Sequence, residues 1–226
     1  SHWGKTPPCT EAIVQAGFSK VVIGTKDLNP LVNGKGIAQL QEAGIEVAFE
    51  TLNREIEKLY HPFFFWSQTR LPWVTLKLAQ TAEGFIARED GQPLTITGGE
   101  AQQWAHQLRA VADAIVVSAR TVRHDHPRLD LRASFWSPPQ KPARIVLGRS
   151  IDFSPDEPLF QNCGRIILAG RHYAEQLPSS AERWSIAEER LDLSFSALRK
   201  RAGEEGMHHL LVETGAEWIE TLLAAG

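Results

Sequence analysis

The sequence predicts an α/β protein with a mostly parallel sheet that helices cover on both faces. Short runs of β-branched and apolar residues recur along the chain, as expected of strands buried in a parallel sheet. Stretches with apolar residues at helical spacing lie between these runs. Of the 226 residues, 42% are hydrophobic and 23% are charged, so the chain can bury a core of ordinary size.

The first part of the chain predicts one strand–helix–strand unit, preceded by a short helix that Thr10 caps at its N-terminus. One such unit is small for a complete domain. The predicted elements are a helix at 10–15, a buried strand at 20–25, a loop at 26–30, a helix at 36–43 that Gly44 ends, and a strand at 45–49.

Residues 51–71 differ in character, because a charged stretch is followed by the aromatic run Phe63 to Trp66. We interpret this segment as a connector that packs against another part of the protein. Its aromatic side chains suit either a plug that covers a domain edge or a platform on which a ligand stacks.

From Trp73 onwards a second α/β pattern begins. Its helix at 100–112 places Trp104, Leu108 and Val111 on one apolar stripe. Parallel sheets bind ligands at the carboxyl ends of their strands, so residues that directly follow strands are the candidate site residues. The predicted elements are strands at 73–79, 114–118, 144–147, 165–168 and 209–213, and helices at 100–112, 195–205 and 218–223.

Composition excludes several classes of protein. The net charge of −3 provides no basic surface for nucleic acid. No apolar run approaches the roughly 18 residues of a membrane span. Cys9 and Cys163 do not form a disulfide framework. We therefore expect a cytoplasmic protein that binds neither nucleic acid nor a membrane.

A polar cluster follows the strand at 114–118 and contains Thr121, Arg123 and Asp125. Beyond it, Arg128, Asp130 and Arg132 alternate with Leu129 and Leu131, and in an extended segment the three would share one face. Two arginines on one face suit a phosphate, since guanidinium forms bidentate bonds to its oxygens. A solvated edge strand is the alternative explanation.

A second candidate lies at Glu213 to Glu217, between a strand and the last helix. Gly215 would let backbone N–H groups approach an anion at the helix N-terminus, although such turns are also common without a ligand. Cys9 at a helix start is a third candidate, either as a thiolate or as a small buried residue. The histidines without metal-ligand spacing are expected to be surface or core residues: His61, His106, His172, His208 and His209.

Four stretches occur in an order that is typical of one family. They are SHWGKTPPC, PWVTLKLAQTAEGFIA, TVRHDHPRLDLR and LLVETGAEWIETLLAAG. In this order they resemble the bifunctional riboflavin-biosynthesis deaminase/reductase family, from the second half of its deaminase domain to the last major helix of its reductase domain. The combination covers nearly the whole chain and is specific, although each stretch alone is weak.

The resemblance implies a dihydrofolate-reductase-like fold and reduction by NADPH of the ribosyl group of 5-amino-6-(5-phosphoribosylamino)uracil to the ribityl form. It implies that the substrate is a small phosphorylated pyrimidine-ribose and assigns no catalytic residue. The implied NADPH-binding residues are Thr121, Asp125, Arg149, Gly215, Ala216 and Glu217. The implied substrate-binding residues are Arg109, Leu129, Arg132 and Glu213, with Arg132 at the 5′-phosphate.

The resemblance also implies a partial cytidine-deaminase-like domain at residues 1–57, a connector at 58–72 and an incomplete reductase domain at 73–226. Cys9 is then one zinc ligand, whereas a second cysteine and the catalytic glutamate of the family would precede Ser1. Zinc is expected only in the complete deaminase domain. We further expect a homo-oligomer, either a dimer or a tetramer.

Two other functions stay open at this stage. The physiological activity would be deamination if the reductase domain were only a scaffold. A non-catalytic nucleotide-binding relative is the third hypothesis, because Pro93 to Thr95 lacks the Trp and Ser that touch ligands in the family.

Overall fold

A computed structural model describes residues 7–29, 32, 34–49, 53–86, 88, 96–132, 138–162 and 164–225, without the side chains at 53, 216, 217 and 225. The chain forms two compact units, Ser1–Trp73 and Val74–Gly226. Among the helices in these ranges, none has the length and apolar character needed to cross a membrane.

The first unit confirms the predicted strand–helix–strand arrangement. Its two strands pair in parallel, with Lys20 opposite Glu46, and the side chains of these residues form a salt bridge of 2.8 Å. The elements are α1 (Cys9–Gln15), β1 (Lys20–Ile23), α2 (Lys35–Glu42), β2 (Glu46–Phe49) and α3 (Asn53–Thr69).

Two details of the first unit differ from the prediction. Thr10 lies inside α1 and Pro8 is the N-cap, while the Thr10 hydroxyl bonds to the side chain of Gln39 at 2.9 Å. Strand β1 is not buried, since it alternates between exposed and half-buried positions and Val22 is 54% exposed. Such alternation is typical of a sheet that is covered on one face only.

The segment interpreted as a connector is largely the 17-residue helix α3. Its aromatic rings contact each other, with Tyr60 and Phe64 stacked at 5.8 Å between centroids, and Arg70 lies over the Trp66 ring at 4.7 Å. The sequence did not indicate this helix because Pro62 lies within it and because consecutive aromatic residues obscure the helical period.

The second unit confirms the predicted mostly parallel sheet. Six strands lie in the order β3-β10-β4-β5-β7-β9, and the pairs β10/β4, β4/β5, β5/β7 and β7/β9 are parallel. These strands are β3 (Trp73–Lys77), β4 (Ala114–Ser118), β5 (Ala143–Leu147), β7 (Ile166–Gly170), β9 (Glu182–Ser185) and β10 (His209–Glu213), and β6 (Ser150–Ile151) pairs separately with β8 (His172–Tyr173).

Helices cover both faces of this sheet, as predicted. Phe195, Leu198 and Trp218 pack on one face, whereas Val122 and Leu159 pack on the other. The helices of the second unit are α4 (Gly99–Ala110), α5 (Ala119–Asp125), α6 (Leu191–Glu204) and α7 (Ala216–Ala225), with a short 3-10 helix at Pro158–Phe160.

The apolar stripe predicted for α4 is buried only in part. Leu108 is half-buried and Ala112 is buried, whereas Val111 lies beyond Ala110, the last residue of the helix. Trp104 and Val111 are 60% and 58% exposed, while Ala110 is buried. Helical spacing identifies which residues share a face, but neighbouring elements decide which face is covered. Helix α6 also begins at Leu191, four residues before the predicted Phe195, and neither α5 nor β9 was predicted.

Candidate functional site

An open cleft of about 320 Å³ lies at the carboxyl ends of β4, β5 and β9. This is the edge at which parallel sheets bind ligands, so the cleft is where the strand-end argument places a site. Its lining residues are Ser118, Ala119, Arg120, Arg123, Leu147, Gly148, Arg149, Ser150, Ile186, Glu188, Glu189, Leu191, Ser194 and Trp218.

Two glycines let the loop after β5 pass close to α5 on one side and to the end of β7 on the other. A Cβ atom on Gly148 would lie 2.5 Å from the Cβ of Ala119, and one on Gly170 would collide with the Gly148 carbonyl oxygen. Any larger residue at either position would push the loop outwards. The wall of the cleft therefore depends on the absence of side chains at two strand ends.

Ser118 joins the end of β4 to the start of α5. Its Oγ accepts a hydrogen bond from the Thr121 backbone N–H at 2.9 Å and lies 2.8 Å from Thr121 Oγ1. Thr121 thus contacts Ser118, which lines the cleft, but Thr121 is not itself a lining residue. Asp125 is the last residue of α5 and is exposed, and it is not among the lining residues.

Three arginines, Arg120, Arg123 and Arg149, line the cleft. Arg123 pairs with Asp152 at 2.5 Å and donates to the Ser150 carbonyl oxygen at 3.3 Å. Arg149 also lines the cleft, and its guanidinium forms no ion pair within the described ranges. The opposite wall contributes Glu188 and Glu189, of which Glu189 pairs with Arg171 at 2.7 Å.

A second polar cluster surrounds Glu213 at the end of β10. Arg109 Nε and Nη2 donate to the two carboxylate oxygens at 2.6 and 2.9 Å, and Lys77 Nζ lies 3.7 Å from Oε2. Burial alone would raise the pKa of Glu213, but the hydrogen bonds and charge of Arg109, with Lys77, outweigh it and hold that pKa below its usual value. Glu213 is therefore an oriented carboxylate.

The segment after α5 is not the extended strand that the alternation of Leu129 and Leu131 predicted. Leu129 is buried and adopts a left-handed conformation with φ of 50°, which interrupts the alternation. The guanidiniums of Arg128 and Arg132 lie 4.0 and 3.5 Å from Asp130, on either side of it. The two arginines therefore flank a carboxylate, and both side chains are exposed.

Helix α4 holds this segment from the side. Arg109 Nη1 donates to the Asp130 carbonyl oxygen at 3.2 Å. His106 Nδ1 lies 3.2 Å from the same oxygen, and the Arg132 N–H donates to Nδ1 at 3.3 Å. The structure thus brings three of the predicted substrate residues, Arg109, Arg132 and Glu213, into one connected network. The fourth, Leu129, anchors the same segment in the core.

The turn between β10 and α7 directly follows Glu213 in the sequence and leads to Trp218, which lines the cleft. Gly215 has open space on its Cβ side, and the Thr214 hydroxyl is buried without a hydrogen-bond partner in the described part of the chain. Ala216 and Glu217 form the first turn of α7, in which Trp218 lines the cleft.

Cys9 is the first residue of α1 and is exposed, so the alternative of a small buried residue is wrong. Within the described ranges, no group of three or more His, Cys, Asp and Glu side chains is arranged to hold a metal. Pro93 to Thr95 and Cys163 lie outside the described residues.

Sequence reasoning missed several residues that shape these sites. Gly148 directly follows the predicted strand ending at Leu147, so the strand-end rule could have identified it. Glu188 and Glu189 follow β9, a strand that was not predicted. His106 carried no signal, because its partners lie 24 and 26 residues away in a loop.

The second unit coincides with a known domain. Residues 72–226 match the family model described as the RibD C-terminal domain. The chain is 33% identical over 230 residues to the riboflavin biosynthesis protein RibD of Aquifex aeolicus, covering 100% of this chain and 63% of that protein. It is 32% identical over 240 residues to the same protein of Escherichia coli, covering 100% and 65%.

Solved structures agree with these relatives. Acinetobacter baumannii RibD superposes with a TM-score of 0.86 at 29% identity, over 99% of this chain and 62% of that one. A diaminohydroxyphosphoribosylaminopyrimidine deaminase/5-amino-6-(5-phosphoribosylamino)uracil reductase from Thermotoga maritima gives 0.83 at 30% identity, over 99% and 61%. The chain thus spans about three fifths of the length of these relatives.

Proposed function

Because this chain belongs to the RibD family, whose C-terminal domain it contains, we propose that its second unit binds NADPH and reduces 5-amino-6-(5-phosphoribosylamino)uracil to the ribitylamino form, in riboflavin biosynthesis. One observation carries this proposal. An arginine-lined cleft and an oriented carboxylate lie at the ends of neighbouring strands of one sheet, the cleft at β4 and β5 and the carboxylate at β10.

The residues of the cleft fit a phosphorylated dinucleotide. Arg149 has a guanidinium that no described residue neutralises, and Arg120 and Arg123 stand beside it. A 2′-phosphate distinguishes NADPH from NADH and would gain charge-assisted hydrogen bonds from such a group. Thr121, Asp125 and the turn at 215–217 are proposed to complete the binding site. When bound, NADPH supplies the hydride for the reduction.

The network around Glu213 is proposed to hold the substrate. The exposed guanidinium of Arg132 offers a planar set of donors to the 5′-phosphate. Arg109 fixes both oxygens of Glu213, so the carboxylate presents its remaining lone pairs in one direction towards the ribose hydroxyls. Leu129 keeps the Arg132 segment in place through burial.

For the rest of the protein we propose a zinc-dependent pyrimidine deaminase in which Cys9 is one ligand, a cytoplasmic location and assembly into a dimer or tetramer. A Cys9→Ser variant of the full-length protein should lose bound zinc and deaminase activity while its reductase activity remains. Retention of one zinc per chain in that variant would remove Cys9 from the ligand set.

The reductase proposal is tested with the purified full-length protein, NADPH and the phosphoribosylaminouracil. Substrate-dependent oxidation of NADPH, followed by the loss of its absorbance, with formation of the ribitylamino product, is the expected result. NADPH binding without turnover would instead favour the non-catalytic relative, and deamination without reduction would favour the scaffold hypothesis.

A further inference from the structure

The position of His106 on α4 suggests a role that the sequence did not indicate. Its ring lies one helical turn before Arg109 and reaches the same carbonyl oxygen, that of Asp130, at 3.2 Å. The backbone N–H of Arg132 donates to the same ring nitrogen at 3.3 Å. His106 therefore contacts the main chain on both sides of Leu131.

The segment 129–132 needs contacts from other elements to fix its backbone, because it has no regular secondary structure of its own. Leu129 is in the left-handed region, and neither it nor the next three residues belong to a helix or strand. The side chain of Arg132 is 71% exposed and contacts Asp130 at 3.5 Å. An exposed arginine on an irregular segment binds well only if its backbone is already held in place.

We propose that His106 is a positioning residue that fixes the backbone of Arg132 for binding of the phosphorylated substrate. This inference rests on the proposed reductase function. His106 does not touch the substrate in this scheme, and its effect passes through the main chain of 130–132. Loss of His106 should therefore weaken substrate binding while the binding of NADPH and the chemical step remain.

The protonation state of His106 matters to this role. Burial lowers the pKa of His106, and the positive charges of Arg109 and Arg132 lower it further. The carbonyl and the carboxylate of Asp130 raise this pKa, but their effect is smaller. The neutral ring can accept the Arg132 N–H at Nδ1. In that form Nδ1 carries no proton and cannot also donate to the Asp130 carbonyl oxygen. The protonated ring only donates, so in acid the hydrogen bond from Arg132 is lost and is replaced by one from Nδ1–H to the Asp130 carbonyl oxygen.

The test compares His106→Leu with His106→Asn in the full-length protein. The amide of Asn occupies the place of Nδ1 and does not titrate. We expect His106→Leu to raise KM for the phosphorylated substrate about tenfold, the effect of one hydrogen bond. Its kcat and its KM for NADPH should stay unchanged, and His106→Asn should restore the substrate KM. On acidification, the substrate KM should rise more steeply in the wild type than in His106→Asn.

A second measurement separates this inference from the reductase proposal. Amide hydrogen exchange at Arg132 should be faster in His106→Leu than in the wild type and in His106→Asn. Equal exchange in all three would overturn the role of His106, as would a parallel change in kcat and both KM values. A wild-type protein that binds and oxidises no NADPH would overturn the reductase proposal, while the exchange comparison would still decide on His106.

Discussion

Arg109 and Glu213 form a two-point ion pair across 104 residues of sequence, at 2.6 and 2.9 Å. Their side chains are only 15% and 10% exposed, so the pair is largely shielded from water. Arg109 lies in α4 and Glu213 is the last residue of β10. The pair therefore connects this helix to the carboxyl ends of the strands, where the candidate site lies. Stability and substrate binding should therefore depend on the same contact.

Glu213→Gln should destabilise the second unit by about 3 kcal/mol, because it leaves the Arg109 guanidinium buried without its counter-charge. The free energy of unfolding in urea measures this effect. The matched control is Glu182→Gln, which breaks the more exposed Arg165–Glu182 pair and should cost less than about 1 kcal/mol. Equal losses for the two variants would show that burial of the Arg109–Glu213 pair has no energetic consequence.

His209→Gln should reduce the loss of stability on mild acidification. Burial lowers the pKa of His209 below its ordinary value of 6.5. The Val111 carbonyl and Asp113 raise this pKa, but their effect is smaller. Between the folded and the unfolded pKa the unfolded chain binds more protons, so the free energy of unfolding falls as pH decreases through this range and then levels off. The variant lacks this contribution and should give a flatter curve.

The measurement is urea unfolding between pH 7 and pH 5, with the exposed His172→Gln as the control. Gln at 209 can still bond to Thr75, whose hydroxyl lies 2.8 Å from the ring Nε2 of His209. A curve for His209→Gln as steep as that of the control would mean that other groups carry the pH dependence.

Arg149→Ala should lower the preference for NADPH over NADH at least about tenfold, through loss of a charge-assisted contact to the 2′-phosphate. The KM for NADH should change little, because NADH lacks that phosphate. Lys141→Ala is the control, since Lys141 precedes β5 and lies at the opposite end of that strand from Arg149. An unchanged cofactor preference in Arg149→Ala would place the phosphate elsewhere in the cleft.

Arg132→Ala should raise KM for the phosphorylated substrate at least about tenfold and leave folding intact, since its side chain is mostly exposed. Arg128→Ala is the matched control, because Arg128 contacts the same Asp130 at 4.0 Å and is similarly exposed. Steady-state kinetics with both variants separates a phosphate contact from a general loss of positive charge. Equal effects of the two substitutions would contradict a specific role for Arg132.

Prediction from the sequence succeeded where local pattern and burial agree. The strands at 114–118 and 209–213 were predicted with their observed bounds, because both are central parallel strands with a continuous apolar run, and their polar residues, Ser118, His209 and Glu213, lie only at strand ends. Prediction failed where several patterns compete. Helix α3 was missed because of Pro62 and its aromatic run, and the Leu129 segment looked like a strand although one left-handed residue interrupts it.

By itself, the sequence determined the parallel sheet, the ends of its strands as the place for a site, and the residue types that suit a phosphorylated nucleotide. These features follow from periodicity and chemistry within short windows of the chain. Only the tertiary structure decided that Arg109 neutralises Glu213, that Arg149 is left without a counter-charge among the described residues, and that His106 reaches Asp130 and Arg132. The reason is physical: such contacts depend on which faces of distant elements meet, and the packing of the whole sheet sets this rather than any local run of residues.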